Sequence, residues 1–423
     1  MKILGQIGYW DESQIIGWIA HTSADTQPLE LEVLIDGRVI GRCQVNVFRP
    51  DLLAQGHHGG RCGFRFVFPP DVDPAAARHA RVRFGGSGLY LEASRPRQLE
   101  PWRTGDKRKF RSAFGGLWID RYDWIDILGE RHRKGEISDD VADQVMRFVR
   151  DGYIIMPGAV PAVVIDEVER DIESFWHRPP KGLLVSTTEP DNKFKMVPPN
   201  LEYRTGKTKL LDLYVFSRAA RQAVGNAPTV AFLSAVFQDR PKAFQGLSFW
   251  NGSEQDMHKD TAYVRVKENP LAMVASWLAL EDVEEGTGEL EYYVGSHLAP
   301  DFLFGGVSKW MVSEGGDFSA DHTRFLASLH EDAKRNSCTK VRFLPRRGDV
   351  LLWHADLAHG GSRVAKKGRT RKSLVTHFCP SQLTPNYMNG VVARAVQEGD
   401  CEFASAHSPQ YLDTISRRLV GAQ

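Results

Sequence analysis

Through residues 1–93, apolar and polar positions alternate in short runs. Leu29–Ile35 (LELEVLI) begins with strict alternation, Asp36-Gly37 supplies a turn, and Arg38–Val45 (RVIGRCQV) resumes the pattern. Gly63–Val67, Ala80–Phe84 and Gly88–Leu91 continue it, punctuated by Pro69-Pro70 and Gly85-Gly86. A period of two in runs this short predicts a small β-sandwich. Residues 94–112 (SRPRQLEPWRTGDKRKFRS) are basic and hold two prolines, which predicts a connector; the whole linker is placed at 94–136.

From Ile137 the period changes. Ser138-Asp139-Asp140 predicts a capped helix to about Val149, with Val141, Val145, Phe148 and Val149 on one side. Asp151–Gly158 (DGYIIMPG) predicts a short buried strand, and Pro161–Trp176 an amphipathic helix with proline in its first turn. Further helices are expected near Ala219–Val224 and Thr229–Phe237. Strands then dominate: Ala243–Trp250, Thr261–Val266, Met273–Leu280, Val341–Leu344, Asp349–His354 and Lys372–Phe378. Helices followed by antiparallel-looking strands predict a mainly β domain with flanking helices, a jelly roll (double-stranded β-helix) over residues 137–423.

Length fits this division, since 423 residues at 42% hydrophobic content exceed one ordinary core. Charge is balanced, 54 basic against 53 acidic residues, so no nucleic acid or membrane surface is indicated as a partner, and a small molecule or glycan remains open. The start, MKILGQIGYWDES, has no long apolar run and no cleavage-site pattern, which argues against a signal peptide. The longest apolar stretch, Leu271–Leu280, is too short for a transmembrane segment. Five scattered cysteines suggest reduced thiols and a cytoplasmic location, although a Cys43–Cys62 bridge is conceivable.

Candidate chemistry begins at Gln255–Thr261 (QDMHKDT). On an extended strand His258 and Asp260, two apart, face the same side and can converge on one metal. Two histidines and one carboxylate on one face of an octahedral iron leave positions for a bidentate 2-oxo acid and dioxygen. The second histidine must come from another strand. The buried run Val350–Trp353 delivers two candidates, His354 and His359, either of which could instead be a hydrogen-bonded core histidine. Beyond it, Arg371 and Ser373 share a strand face; a guanidinium can grip the distal carboxylate of 2-oxoglutarate in a fork and a hydroxyl can add a bond. The plainer alternative is an arginine paired with a nearby acid.

From about Gly152 to Pro380 these pieces, in order, resemble the phytanoyl-CoA dioxygenase family of iron/2-oxoglutarate oxygenases. The matching stretches are Asp151-Gly152-Tyr153 with Pro157-Gly158, Phe244–Leu247 with Gly252–Gln255, His258–Thr261, Trp277–Asp282 with Gly286–Leu290, Gly348-Asp349 through His359-Gly360, and Arg371–Ser373. Val294-Gly295-Ser296-His297 matches a Pro-Gly-Ser-His signature with valine in place of proline. The resemblance implies that the histidine followed by glycine, His359, completes an iron(II) triad with His258 and Asp260, and that His354 and His297 are structural. It implies that Arg371 anchors 2-oxoglutarate with Ser373, Arg369 being the fallback, and that Gln245 and Trp277 line the pocket. Relatives that halogenate lack the acid; Asp260 therefore implies hydroxylation or another oxygen-rebound outcome. Gly17–Ala20, Leu34–Gly37, Arg49–Leu52 and Gly63-Phe64 resemble a β-module attached to bacterial glycan-modifying enzymes.

The expected function is thus an iron(II)-, 2-oxoglutarate- and O2-dependent dioxygenase hydroxylating a C–H bond of a small molecule or glycan-linked substrate. The alternatives are desaturation or epoxidation on the same fold, or a non-catalytic carbohydrate-binding protein on a degenerate oxygenase scaffold. In a related alternative the amino-terminal module does the work, with Trp10 or Trp18 as a sugar platform.

Overall fold

The structure is a computed structural model. It describes residues 3–10, 14–21, 29–47, 61–77, 79–85, 90–91, 110–112, 114–188, 194–205, 208–304, 308–311, 318–386, 395–408 and 411–412. The chain divides into two compact units, one of Met1–Thr104 with Val312–Ser319 and the other of Gly105–Met311 with Ala320–Gln423. No helix among the described residues is long and apolar enough to cross a membrane.

The first unit contains β1 (Ile3–Trp10), β2 (Gln14–His21), β3 (Leu29–Ile35), β4 (Arg38–Val45), β5 (Gly63–Val67) and β6 (Arg81–Phe84). They form two three-stranded sheets, β1-β2-β5 and β4-β3-β6. The inward positions of both, including Ile15, Ile19, Leu31, Val33, Phe64 and Val82, share one core, so the unit is a sandwich. Asp36 and Gly37 both take positive φ, 49° and 78°, as the two-residue β3–β4 hairpin demands. Trp10 donates to Ala77 O at 3.1 Å, and both Trp10 and Trp18 pack against this core. Arg49–Leu52 lies outside the described residues, and all five cysteines are free, so Cys43 and Cys62 form no bridge.

In the second unit, part of the stretch assigned to the linker is packed: a 3-10 turn at Trp118–Asp120 and α1 (Trp124–Arg133) bury Trp118, Ile119 and Leu128 in the main core. Four helices follow: α2 (Asp139–Asp151), α3 (Ala162–His177), α4 (Arg218–Val224) and α5 (Ala227–Phe237). Ser138 caps α2 by accepting from Val141 N, and Gly152 ends it in the left-handed region at φ 83°.

The major sheet runs β7 (Tyr153–Met156), β15 (Val350–His354), β12 (Val274–Ala279), β17 (Ser373–Pro380), β11 (Pro241–Phe249), β10 (Lys209–Leu211), β8 (Val185–Thr188) and β9 (Phe194–Val197), with β19 (Cys401–Ala404) beside β11 and β18 (Ala395–Glu398) beside β19. A smaller sheet orders β14 (Lys340–Phe343), β13 (Leu290–Tyr293) and β16 (His359–Gly361). Alternation divides the major sheet's two faces. Val274, Leu278, Leu374 and Phe378 meet the helices. Ala275, Trp277, Ala279, Leu351, Trp353 and Val375 meet Leu290, Tyr292 and Phe343 of the smaller sheet. Two facing sheets with helices on one outer face make the expected jelly roll.

Two further stretches are among the departures from expectation. Thr261–Val266 is not a strand: Asp260 O accepts from both Tyr263 N and Val264 N, winding a 3-10 turn at Asp260–Ala262. Phe318–Arg335 is a helix, α6, that the pattern reading passed over. Its signal was present, because Phe325, Leu329 and Ala333 recur at the helical spacing and are all buried.

Candidate active site

The interior face of the jelly roll opens as a cavity of about 170 Å³, lined by residues of both sheets including Gln245, His258, Asp260, Trp277, His359, Arg371 and His377. His258 reaches it from an extended stretch and His359 from β16. The two form an antiparallel bridge, His258 N donating to His359 O at 2.8 Å and His359 N to His258 O at 2.9 Å. Extended geometry at Lys259 (φ −114°, ψ 135°) puts the Asp260 side chain on the same side as His258. One potential ligand atom from each of His258, Asp260 and His359 lies within 4.8 Å of the others.

Backbone carbonyls set both imidazoles. His258 Nδ1 lies 2.8 Å from Asp256 O and His359 Nδ1 lies 2.9 Å from Leu357 O. A carbonyl only accepts, so each Nδ1 carries the hydrogen and each Nε2 presents a lone pair. These Nε2 atoms stand 3.8 and 3.6 Å from Asp260 Oδ1, spacings that one ion with bonds of about 2.0–2.2 Å can bridge. The indole of Trp353 donates to the other oxygen, Oδ2, at 2.8 Å and leaves Oδ1 to the cavity. His377 Nε2 lies 3.4 Å from Oδ2 without making a hydrogen bond. Burial opposes the charge on Asp260, but the imidazoles, His359 foremost, hold its carboxyl below the usual carboxylate range. Burial, reinforced by His359, lowers the His258 imidazole to about 3, which keeps it neutral and able to ligate.

Arg371 is 3% exposed and lines the same cavity. Its Nη2 donates to Asn251 O at 3.2 Å, while Nε has no partner among the described residues. The guanidinium sits 5.3 Å from the ring centroid of Trp277 and 5.5 Å from that of Phe249. Burial lowers it to about 10, still charged at neutral pH. A buried cation with an idle donor is costly unless something anionic completes it. Gln245 Oε1, in the same cavity, also lacks a partner among the described residues, as does the fully buried Ser373 Oγ, although Ser373 is not among the residues that line it. Arg369 pairs with Glu284 at the surface, 2.7 Å away.

His354, the other candidate histidine, points elsewhere. Its Nδ1 accepts from Asp356 N at 3.0 Å, so Nε2 carries the hydrogen and donates to Asp120 Oδ1 at 2.8 Å; both nitrogens are engaged away from the cavity. His297 Nε2 donates to Val149 O at 3.0 Å. In the same loop Ser296 Oγ accepts from Ala358 N, next to His359.

Several cavity residues were not among the sequence-predicted ones, His377, Trp353 and Lys209 among them. His377 continues the alternation Arg371, Ser373, Val375 and could have been found by it. Trp353 bonds Asp260 across 93 positions and Lys209 enters from β10; no local pattern marks either. Burial lowers the Lys209 ammonium.

The profile of the phytanoyl-CoA dioxygenase family (PhyH) matches residues 148–373. No curated protein matches the chain significantly. Among solved structures, the non-heme alpha ketoglutarate dependent epimerase SnoN from nogalamycin biosynthesis is 16% identical, with a TM-score of 0.44, over 63% of this chain and 98% of that one. The carbocyclase SnoK from the same biosynthesis is 14% identical, with a TM-score of 0.42, over 59% and 87%. EctD from S. alaskensis, solved with 2-oxoglutarate and 5-hydroxyectoine, is 17% identical, with a TM-score of 0.40, over 58% and 76%.

Proposed function

The chain belongs to the phytanoyl-CoA dioxygenase family, and from that premise we propose that it hydroxylates a C–H bond of a small molecule or glycan-linked substrate, with His258, Asp260 and His359 holding iron(II) and Arg371 holding 2-oxoglutarate. It is an iron(II)- and 2-oxoglutarate-dependent oxygenase. The observation that carries the site assignment is the meeting, in one buried cavity, of three metal-ligand atoms and a guanidinium with an unused donor.

The donor set fits the group. Two neutral imidazoles and one ionised carboxylate suit a divalent iron and leave further positions free. Bound iron(II) supplies oxygen activation coupled to decarboxylation of 2-oxoglutarate to succinate and carbon dioxide. The chain's residues orient and exclude water. Arg371 offers a fork to a distal carboxylate, with Ser373 on the same strand face and Gln245 and Trp277 on neighbouring strands. Trp353 and the two backbone carbonyls fix the ligand side chains. Leu247, Phe249 and Trp277 give the cavity an apolar wall. An intact carboxylate at Asp260 would complete the metal's protein ligand set, which favours hydroxylation over halogenation. The glycan-linked alternative rests on the sequence resemblance of residues 1–93, which the proposed division assigns to an accessory module, with 137–423 as the oxygenase domain.

The test is mass spectrometry of candidate small molecules and cell-extract metabolites incubated with the protein, iron(II), ascorbate and 2-oxoglutarate. A substrate gaining one oxygen while succinate forms is expected. Loss of two hydrogens instead would favour desaturation, and no succinate under any condition would overturn the reading.

A further inference from the structure

Lys259 lies between His258 and Asp260, and alternation turns it away from the cavity. A second buried polar cluster lies behind that segment. Asp356 is at its centre: one oxygen accepts from the Thr261 hydroxyl at 2.6 Å and the other meets Lys309 Nζ at 2.6 Å. Lys309 also pairs with Asp301, whose second oxygen accepts from Ser112 Oγ at 2.8 Å. The Asp356 backbone N–H donates to His354, which donates to Asp120. Thr261, Lys309 and Asp356 are all buried.

The placement of these contacts bears on the metal centre. Thr261 directly follows Asp260 inside the 3-10 turn. Its N–H reaches Ala355 O and its hydroxyl reaches Asp356, so both of its donors end on the turn between β15 and β16. Asp356 in turn precedes Leu357, whose carbonyl fixes the His359 ring. One carboxylate therefore spans the turn that carries Asp260 and the turn that leads to His359. Buried ion pairs add little stability over well-packed apolar side chains, and fixed register is their best-attested use.

Resting on the metal reading above, we propose that Asp356 is a positioning residue of the triad, acting through Thr261 to set the spacing of Asp260 and His359. It touches neither metal nor substrate. It removes freedom from two turns that approach each other only in the folded chain, so that Oδ1 of Asp260 and Nε2 of His359 are already within bridging distance before an ion arrives.

The test is titration of the purified full chain with Co(II) alone, read by the Co(II) ligand-field spectrum. Asp356→Ala and Thr261→Val should each weaken Co(II) binding about 10- to 100-fold, the range seen when outer-shell partners are removed, and alter the spectrum. Thr261→Ser, which keeps the hydroxyl, should restore both. Thr261→Val leaves the ion pairs whole, so it decides the question if Asp356→Ala fails to fold. Wild-type affinity and spectrum in folded Thr261→Val would overturn the inference while leaving the triad standing. A wild-type chain that binds no Co(II) would overturn the triad as well.

Discussion

Two polar clusters flank the segment that carries His258 and Asp260, and they differ in how fully they are paired. On the cavity side Arg371 Nε, Gln245 Oε1 and both ring nitrogens of His377 have no hydrogen-bond partner among the described residues. On the other side Asp356, Lys309, Asp301, Thr261, His354 and Asp120 satisfy one another. Both clusters are buried, so burial does not distinguish them. A fully paired cluster has finished its work within the chain. Groups left idle in a buried cavity need partners from outside, because an unmade bond there costs about 1–3 kcal/mol. His354 and His359, five positions apart in a single run, fall on opposite sides of this division.

The sharpest way to break the comparison is at the histidines. His258→Ala and His359→Ala should abolish iron(II) binding and turnover. His354→Ala should keep both while lowering stability, since Oδ1 of Asp120 loses its donor. Metal titration and 2-oxoglutarate consumption check this, and a dead His354→Ala beside an active His359→Ala would reverse the assignment.

The next effect lies at Arg371. Arg371→Ala should raise the 2-oxoglutarate requirement about 10- to 150-fold, the equivalent of roughly 1.5–3 kcal/mol for a charged hydrogen-bonded pair. Arg371→Lys should recover only part, because an ammonium cannot form the fork. An unchanged apparent affinity in Arg371→Ala would shift the role to Arg369.

The paired side should show itself in acid. Burial raises the Asp356 carboxyl, but Lys309 first and then Lys259 and His354 outweigh it and hold the group below the usual range. Its stabilisation is therefore present above the unfolded-state value of about 3.9 and is lost as pH falls below it. Melting temperature against pH should fall less steeply there in Asp356→Asn than in the wild type. Parallel acid limbs would show that the carboxylate contributes nothing.

The smallest effect is expected from removing the first unit. Its core draws only on residues 7–91, and the cores of the second unit lie between Leu117 and Leu412. A fragment beginning near Lys109 should fold, bind iron(II) and decarboxylate 2-oxoglutarate without a second substrate, but lose efficiency on a glycan-linked substrate if the module raises local concentration. Circular dichroism and melting check folding. A molten fragment would make the module structural, and full activity on the true substrate would remove recruitment.

Much of this molecule was legible in one dimension. Periods of two and of 3.6 mark β12, β17, α2 and α3, because side-chain direction in a strand or helix depends only on the few residues around it. The same locality puts His258 beside Asp260, and Arg371 beside Ser373, Val375 and His377. What needed the tertiary structure was every choice made by distant partners. A bulge in β11 between Ala243 and Gln245 lets Gln245, Leu247 and Phe249 lie opposite His377, Val375 and Ser373. The bond from Trp353 to Asp260, the bond from His354 to Asp120 that separates it from His359, and the cluster drawn from Ser112, Thr261, Asp301, Lys309 and Asp356 join positions up to 234 apart. Such pairings depend on sheet register and loop closure, which the whole chain sets at once, and neighbours in sequence carry no record of them.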